Sequence, residues 1–152
     1  MYNLNELHNP DYDYNNVKPY RSPEFPSIYK GLTMEIHIVD HCNLNCAGCN
    51  HFSPLAKPWY ISIDDFTLQL TLLRDNIPTV QELLLLGGEP LLHPQFIELC
   101  IIARKIFPDI RIRVLSNGIK INLTDSDLQS LKKYDILIDF CNYPGYTDIE
   151  TI

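Results

Sequence analysis

The chain has 152 residues and sets 12 Lys and Arg against 19 Asp and Glu, a formal net charge of −7. That balance gives no broad attraction to nucleic acid or anionic lipid, and a composition 45% apolar and 11% aromatic excludes a disordered or low-complexity chain. No apolar run approaches the ~20 residues of a membrane span, and the opening MYNLNELHNPDYDYNN lacks the basic and apolar regions of a secretory signal.

Residues 1–32 hold four of the eleven prolines and five of the nine tyrosines, with no sustained periodicity, and read as an irregular arm. Residues 33–152 read as one domain. Thr33–Val39 alternates apolar Met34, Ile36 and Ile38 with Glu35 and His37, the pattern of a strand. After a cysteine-rich loop, Ser62 with Asp65 three residues on caps a helix that carries Phe66, Leu70 and Leu73 on one face and ends near Pro78. Val80–Leu86 reads as an apolar strand stopped by Gly87-Gly88. Pro94 opens a second helix to about Phe107. Ile110–Leu115 is a third strand ending at Ser116-Asn117-Gly118; Thr124 or Asp125 caps a third helix to about Tyr134; Asp135–Cys141 is a fourth strand.

Strand and helix alternating four times, with short connections, predicts an α/β fold of parallel βα units. One strand face is partly polar, with Glu35, His37, Arg111, Arg113 and Asp139. Helices on one side and a polar concavity on the other favour a curved, barrel-like wall over a doubly wound sheet. Arg111, Arg113 and Asp139 would there bind an acidic substrate group or pair with one another.

The most informative stretch is Cys42-Asn-Leu-Asn-Cys46-Ala-Gly-Cys49, directly after the first strand. In a chain of five cysteines without an export signal, this crowding points to metal binding in a reducing, cytoplasmic setting rather than to disulfides. Three thiolates suit a 4Fe–4S core with one iron left open, whereas electron carriers normally close every iron with four cysteines. Ala47 and Gly48 let the backbone wrap closely.

CNLNCAGC after a first strand resembles the CxxxCxxC motif of the radical S-adenosylmethionine (radical SAM) enzymes. Gly87-Gly88-Glu89-Pro90 after the second strand resembles their GGEP motif, and Ser116-Asn117-Gly118 after the third resembles their polar turn. The resemblance spans about Thr33 to Asn142. It implies an incomplete, TIM-like barrel in which Cys42, Cys46 and Cys49 hold a 4Fe–4S cluster. Gly87, Gly88 and Glu89 would position SAM, with Ser116 and Asn117 assisting. Reductive cleavage of SAM would then yield a 5′-deoxyadenosyl radical that takes hydrogen from a substrate the sequence does not identify, with electrons from a donor such as a flavodoxin or ferredoxin. The family often has an aromatic residue where Gly48 stands; Phe52 is the nearest substitute. The family core usually has six units, so four imply a fragment or a partner that completes the barrel, with TDIETI at the end reading as the start of another helix.

Two other readings use the same residues. One is a truncated, catalytically silent domain that holds a cluster but not SAM. The other is a Cys3His zinc module completed by His41 or His51, although no second knuckle is present. Outside the loop, Cys100 lies on an apolar helix stripe as an inert thiol. Cys141 reads as core, with a pocket wall as the alternative. His93 reads as part of a helix start, and Trp59 and Tyr60 as either a shield for the cluster or a packing anchor.

Overall fold

In the computed structural model, residues 32–77, 79–119 and 122–141 are described. Four strands, β1 (Leu32–Val39), β2 (Val80–Gly87), β3 (Arg111–Ser116) and β4 (Ile136–Phe140), form one parallel sheet in the order β1-β2-β3-β4. Helices α1 (Ile63–Asn76), α2 (Phe96–Ile106) and α3 (Asp125–Lys133) make the three crossovers. Right-handed crossovers between successive neighbours put every helix on the same side of the sheet. Among the described residues the barrel is not closed.

The helix starts follow their capping chemistry. Ser62 Oγ accepts from Asp65 N, and Thr124 with Asp127 forms a reciprocal capping box, which decides between the two expected caps of α3. α2 begins at Phe96 rather than at Pro94. A short 3-10 turn over Pro90–Leu92 intervenes, and His93 Nδ1 then accepts from Gln95 N. Strand boundaries move by a residue: β1 opens at Leu32, inside the expected arm, and β3 runs through Ser116. The remainder of that arm and the terminal TDIETI lie outside the described residues.

The register makes two different faces. Leu83, Ile112 and Ile136 lie side by side, as do Leu85 and Val114, and all five are buried with Phe66, Leu70, Leu99, Cys100, Ala103 and Leu131 of the helices in a single core. On the opposite face lie Glu35, His37, Arg113 and Asp139, as the alternation predicts. No helix covers this face among the described residues.

Glu82, counted into the apolar run of β2, is the exception. Its carboxylate is buried on the polar face and accepts from Arg113 Nη1 at 2.7 Å, while Arg113 Nε donates to Asp139 at 2.6 Å. Arg111 approaches Glu82 more loosely, at 3.9 Å. Of the two roles expected for these charges, mutual pairing is the one seen. Among the described residues no helix is long and apolar enough to cross a membrane.

Candidate functional site

The segment between β1 and α1 leaves the sheet and returns to the same place. Val39 and Tyr60 form an antiparallel bridge, with Asp40 N donating to Trp59 O and Ile61 N to Ile38 O. The two ends of the cysteine loop are thereby tied together on the outer edge of β1. Tyr60 Oη lies 3.0 Å from His41 Nε2, and its ring packs edge-on against His93. Trp59 and Tyr60 thus anchor the loop base. Neither lines the pocket described below.

The second tie comes from the glycines that end β2. Gly88 N donates to Val39 O and Glu89 N to His41 O, so the loop backbone runs directly against this turn. Gly87 has φ +147°, and a Cβ there would stand 2.0 Å from Val39 O; one on Gly88 would stand 2.0 Å from His41 O. Both positions require glycine whether or not a ligand is bound.

Glu89 joins three elements. Only 1% exposed, it accepts from Leu91 N, Ser116 Oγ and Asn117 N at 2.7–3.0 Å. Burial raises its proton affinity, and those three donors partly offset the rise. The Asn117 amide continues the chain of contacts toward the loop. Its Nδ2 donates to Asn43 Oδ1 at 2.7 Å and lies 3.5 Å from Cys42 Sγ. Asn43 Nδ2 in turn donates to Ile119 O.

The thiols differ in their surroundings. Burial pushes Cys42 up, against hydrogen bonds from Leu44 N and the Asn117 amide. Burial acts on Cys49 as well, but it is outweighed by the backbone N–H groups of Ser53, His51 and Phe52 and by the Ser53 hydroxyl, so this thiol is held below its usual range. Phe52 adopts the left-handed conformation (φ 55°), which turns these amides toward one sulfur as a nest. The buried Ser53 hydroxyl has no partner at full hydrogen-bond geometry. The Phe52 ring is 69% exposed and does not stand over the pocket.

Cys42, Cys46 and Cys49 line one pocket of about 340 Å³ with Gly87, Gly88 and Asn117. Ser116, Gly48 and His51 also border it, whereas Glu89 lies beneath the wall. Cys141, expected in the core, is on the pocket wall because β4 ends one residue earlier and Cys141 N donates to Ser116 O. Cys100 is buried in α2 with its thiol pushed up to about 12. Among the described residues no three His, Cys, Asp or Glu side chains converge on one point, as a single metal ion requires. The donor set fits the expected cluster instead: three soft thiolates around a roomy pocket, with backbone N–H groups already aimed at a sulfur.

The family model described as the Radical SAM superfamily matches residues 36–144. An S-adenosylmethionine-dependent nucleotide dehydratase of Thermoplasmatales archaeon (strain ISO4-H5) is 30% identical over 95 residues, covering 62% of this chain and 32% of that protein. BtrN, in a crystal structure with AdoMet and 2-DOIA, superposes with TM-score 0.62 at 18% identity over 78% of this chain and 48% of its own. Streptococcus suis SuiB bound to S-adenosylmethionine gives TM-score 0.59 at 24% identity over 72% of this chain and 24% of its own. The chain spans about a third of the length of the dehydratase it matches.

Proposed function

We propose, from the premise that the chain belongs to the radical SAM superfamily, that Cys42, Cys46 and Cys49 hold a 4Fe–4S cluster and that the adjoining strand ends bind S-adenosylmethionine. When bound, these groups supply a one-electron reductive cleavage and a 5′-deoxyadenosyl radical able to take hydrogen from an organic substrate. The observation that carries this reading is the gathering of all three loop thiols with Gly87, Gly88 and Asn117 on one pocket at the C-terminal ends of parallel strands.

The chain's own residues then orient and exclude. Gly87 and Gly88 present backbone without side chains, leaving room for the methionine end of SAM. Glu89 favours the ammonium group of SAM from beneath the wall, where its carboxylate is held by Ser116 Oγ and Asn117 N, of two residues that border the pocket. Ser116 and Asn117, which border the same pocket, assist in holding SAM. A one-electron donor of the flavodoxin or ferredoxin kind supplies the reducing equivalent.

The test is anaerobic reconstitution with iron and sulfide, followed by EPR of the reduced protein with and without SAM. A 4Fe–4S signal that shifts on adding SAM is the expected result. A signal indifferent to SAM would leave a cluster-binding domain that does not cleave it. Folded protein that takes up no iron would overturn the proposal.

A further inference from the structure

We infer that Asn117 is a positioning residue for the cluster ligand Cys42, donating an N–H···S hydrogen bond that makes the bound cluster easier to reduce. The inference rests on the reading of Cys42 as a cluster ligand and adds a role for Asn117 separate from contact with SAM.

The hydrogen bonds around Asn117 fix the direction of its amide. Ile119 N is a backbone donor and lies 2.8 Å from Asn117 Oδ1, so the oxygen must face Ile119. The nitrogen therefore faces the loop. Asn43 is fixed by the same logic, because its Nδ2 donates to the carbonyl of Ile119 and leaves Oδ1 for Asn117. An NH2 group has two hydrogens. One meets Asn43 Oδ1 at 2.7 Å; the other is directed toward Cys42 Sγ at 3.5 Å, an ordinary length for a sulfur acceptor. Asn117 N is held in turn by Glu89 at 2.7 Å. The donor thus stands on the rigid end of β3 rather than on the loop it addresses.

The consequence is electrostatic. Reduction adds a negative charge that spreads onto the cysteine sulfurs, and a donor aimed at one of them stabilises the reduced form more than the oxidised form. Removing that donor lowers the potential. Leu44 N also donates to Cys42 Sγ, at 3.3 Å, but it belongs to the loop and moves with it.

The experiment is an EPR redox titration of the reconstituted full chain as wild type, Asn117→Asp and Asn117→Ala, with iron content measured in each. Asn117→Ala removes the donor without adding charge; Asn117→Asp keeps the size of the side chain and the oxygen that accepts from Ile119, but its added negative charge lowers the potential in its own right. Both variants are expected to retain iron and to titrate at a more negative potential. For Asn117→Ala the ratio of reduced to oxidised cluster at the wild-type midpoint should fall about tenfold, which is about 59 mV for one electron. Loaded variants that titrate with the wild type would overturn the inference. So would loss of iron from both with the fold intact, because Asn117 would then be needed for assembly. Wild-type protein that takes up no cluster would instead overturn the reading of the site itself.

Discussion

At the residue scale, five cysteines in one short chain have sorted themselves by environment. Cys49 sits in a nest of amides that holds its thiol low; Cys42 is raised by burial; Cys100 is pushed up to about 12 inside the core. Because the thiolate is the reactive form, metal-free protein treated with iodoacetamide at pH 8 should label Cys49 before Cys42, and Cys100 only after unfolding. Peptide mapping over time reads that order; early labelling of Cys100 would contradict its burial. In reconstituted protein, Cys46→Ala should abolish stable iron uptake while Cys100→Ala leaves iron content unchanged, and equal loss in both would remove the ligand assignment. The three thiols and the glycine turn were legible because their spacing is itself the signal. The roles of Glu89 and Asn117 were only partly legible: the motif points to a ligand, whereas the Glu89 carboxylate accepts from the backbone N–H of Asn117 across 28 residues of sequence. The glycines show the same double duty. Gly88→Ala should cost about 3 kcal/mol by urea denaturation, since its Cβ would meet the His41 carbonyl at 2.0 Å, and iron uptake should fall with it.

At the scale of elements, caps and apolar stripes predicted the three α-helices and four strands among the described residues because each is a local signal. The 3-10 turn and the fixing of the helix ends were not visible. Arg104 shows why. It is one of two basic residues in the last turn of α2, and its guanidinium donates to the carbonyls of Phe107, Pro108, Ile110, Tyr134 and Asp135, the last two far along the chain. It closes the C-terminal end of α2, the entry to β3 and the turn before β4 with one planar fork. Arg104→Ala should destabilise by about 3 kcal/mol in urea, and Arg104→Lys should recover little of that. Iron content in the folded fraction should stay at the wild-type level, because this turn lies at the end of the sheet away from the cysteines. A lysine variant as stable as wild type would show that charge alone suffices there.

At the scale of the whole molecule, one sheet separates a dry side from a charged side. The sequence pattern conveyed the alternation but hid Glu82, whose neighbours in β2 made it look like part of a buried run. Its partner Arg113 comes from the adjacent strand and can be recognised only with the register known. Arg113→Leu would leave a buried carboxylate with only the loose Arg111 contact at 3.9 Å and should cost about 3 kcal/mol, whereas Glu82→Leu with Arg113→Leu should recover most of it. A double variant no better than the single one would mean that the pair is replaceable by nothing apolar.

The bridge between Val39 and Tyr60 has a consequence for how such a chain can change. An excursion that departs and returns at one hydrogen-bonded pair imposes no length on the strands that carry it. Residues added or removed between Leu55 and Trp59 alter the perimeter of the loop, while its two ends and the order of the sheet stay as they are. Length can therefore drift beside the cysteines while the spacing from Cys42 to Cys49 stays fixed.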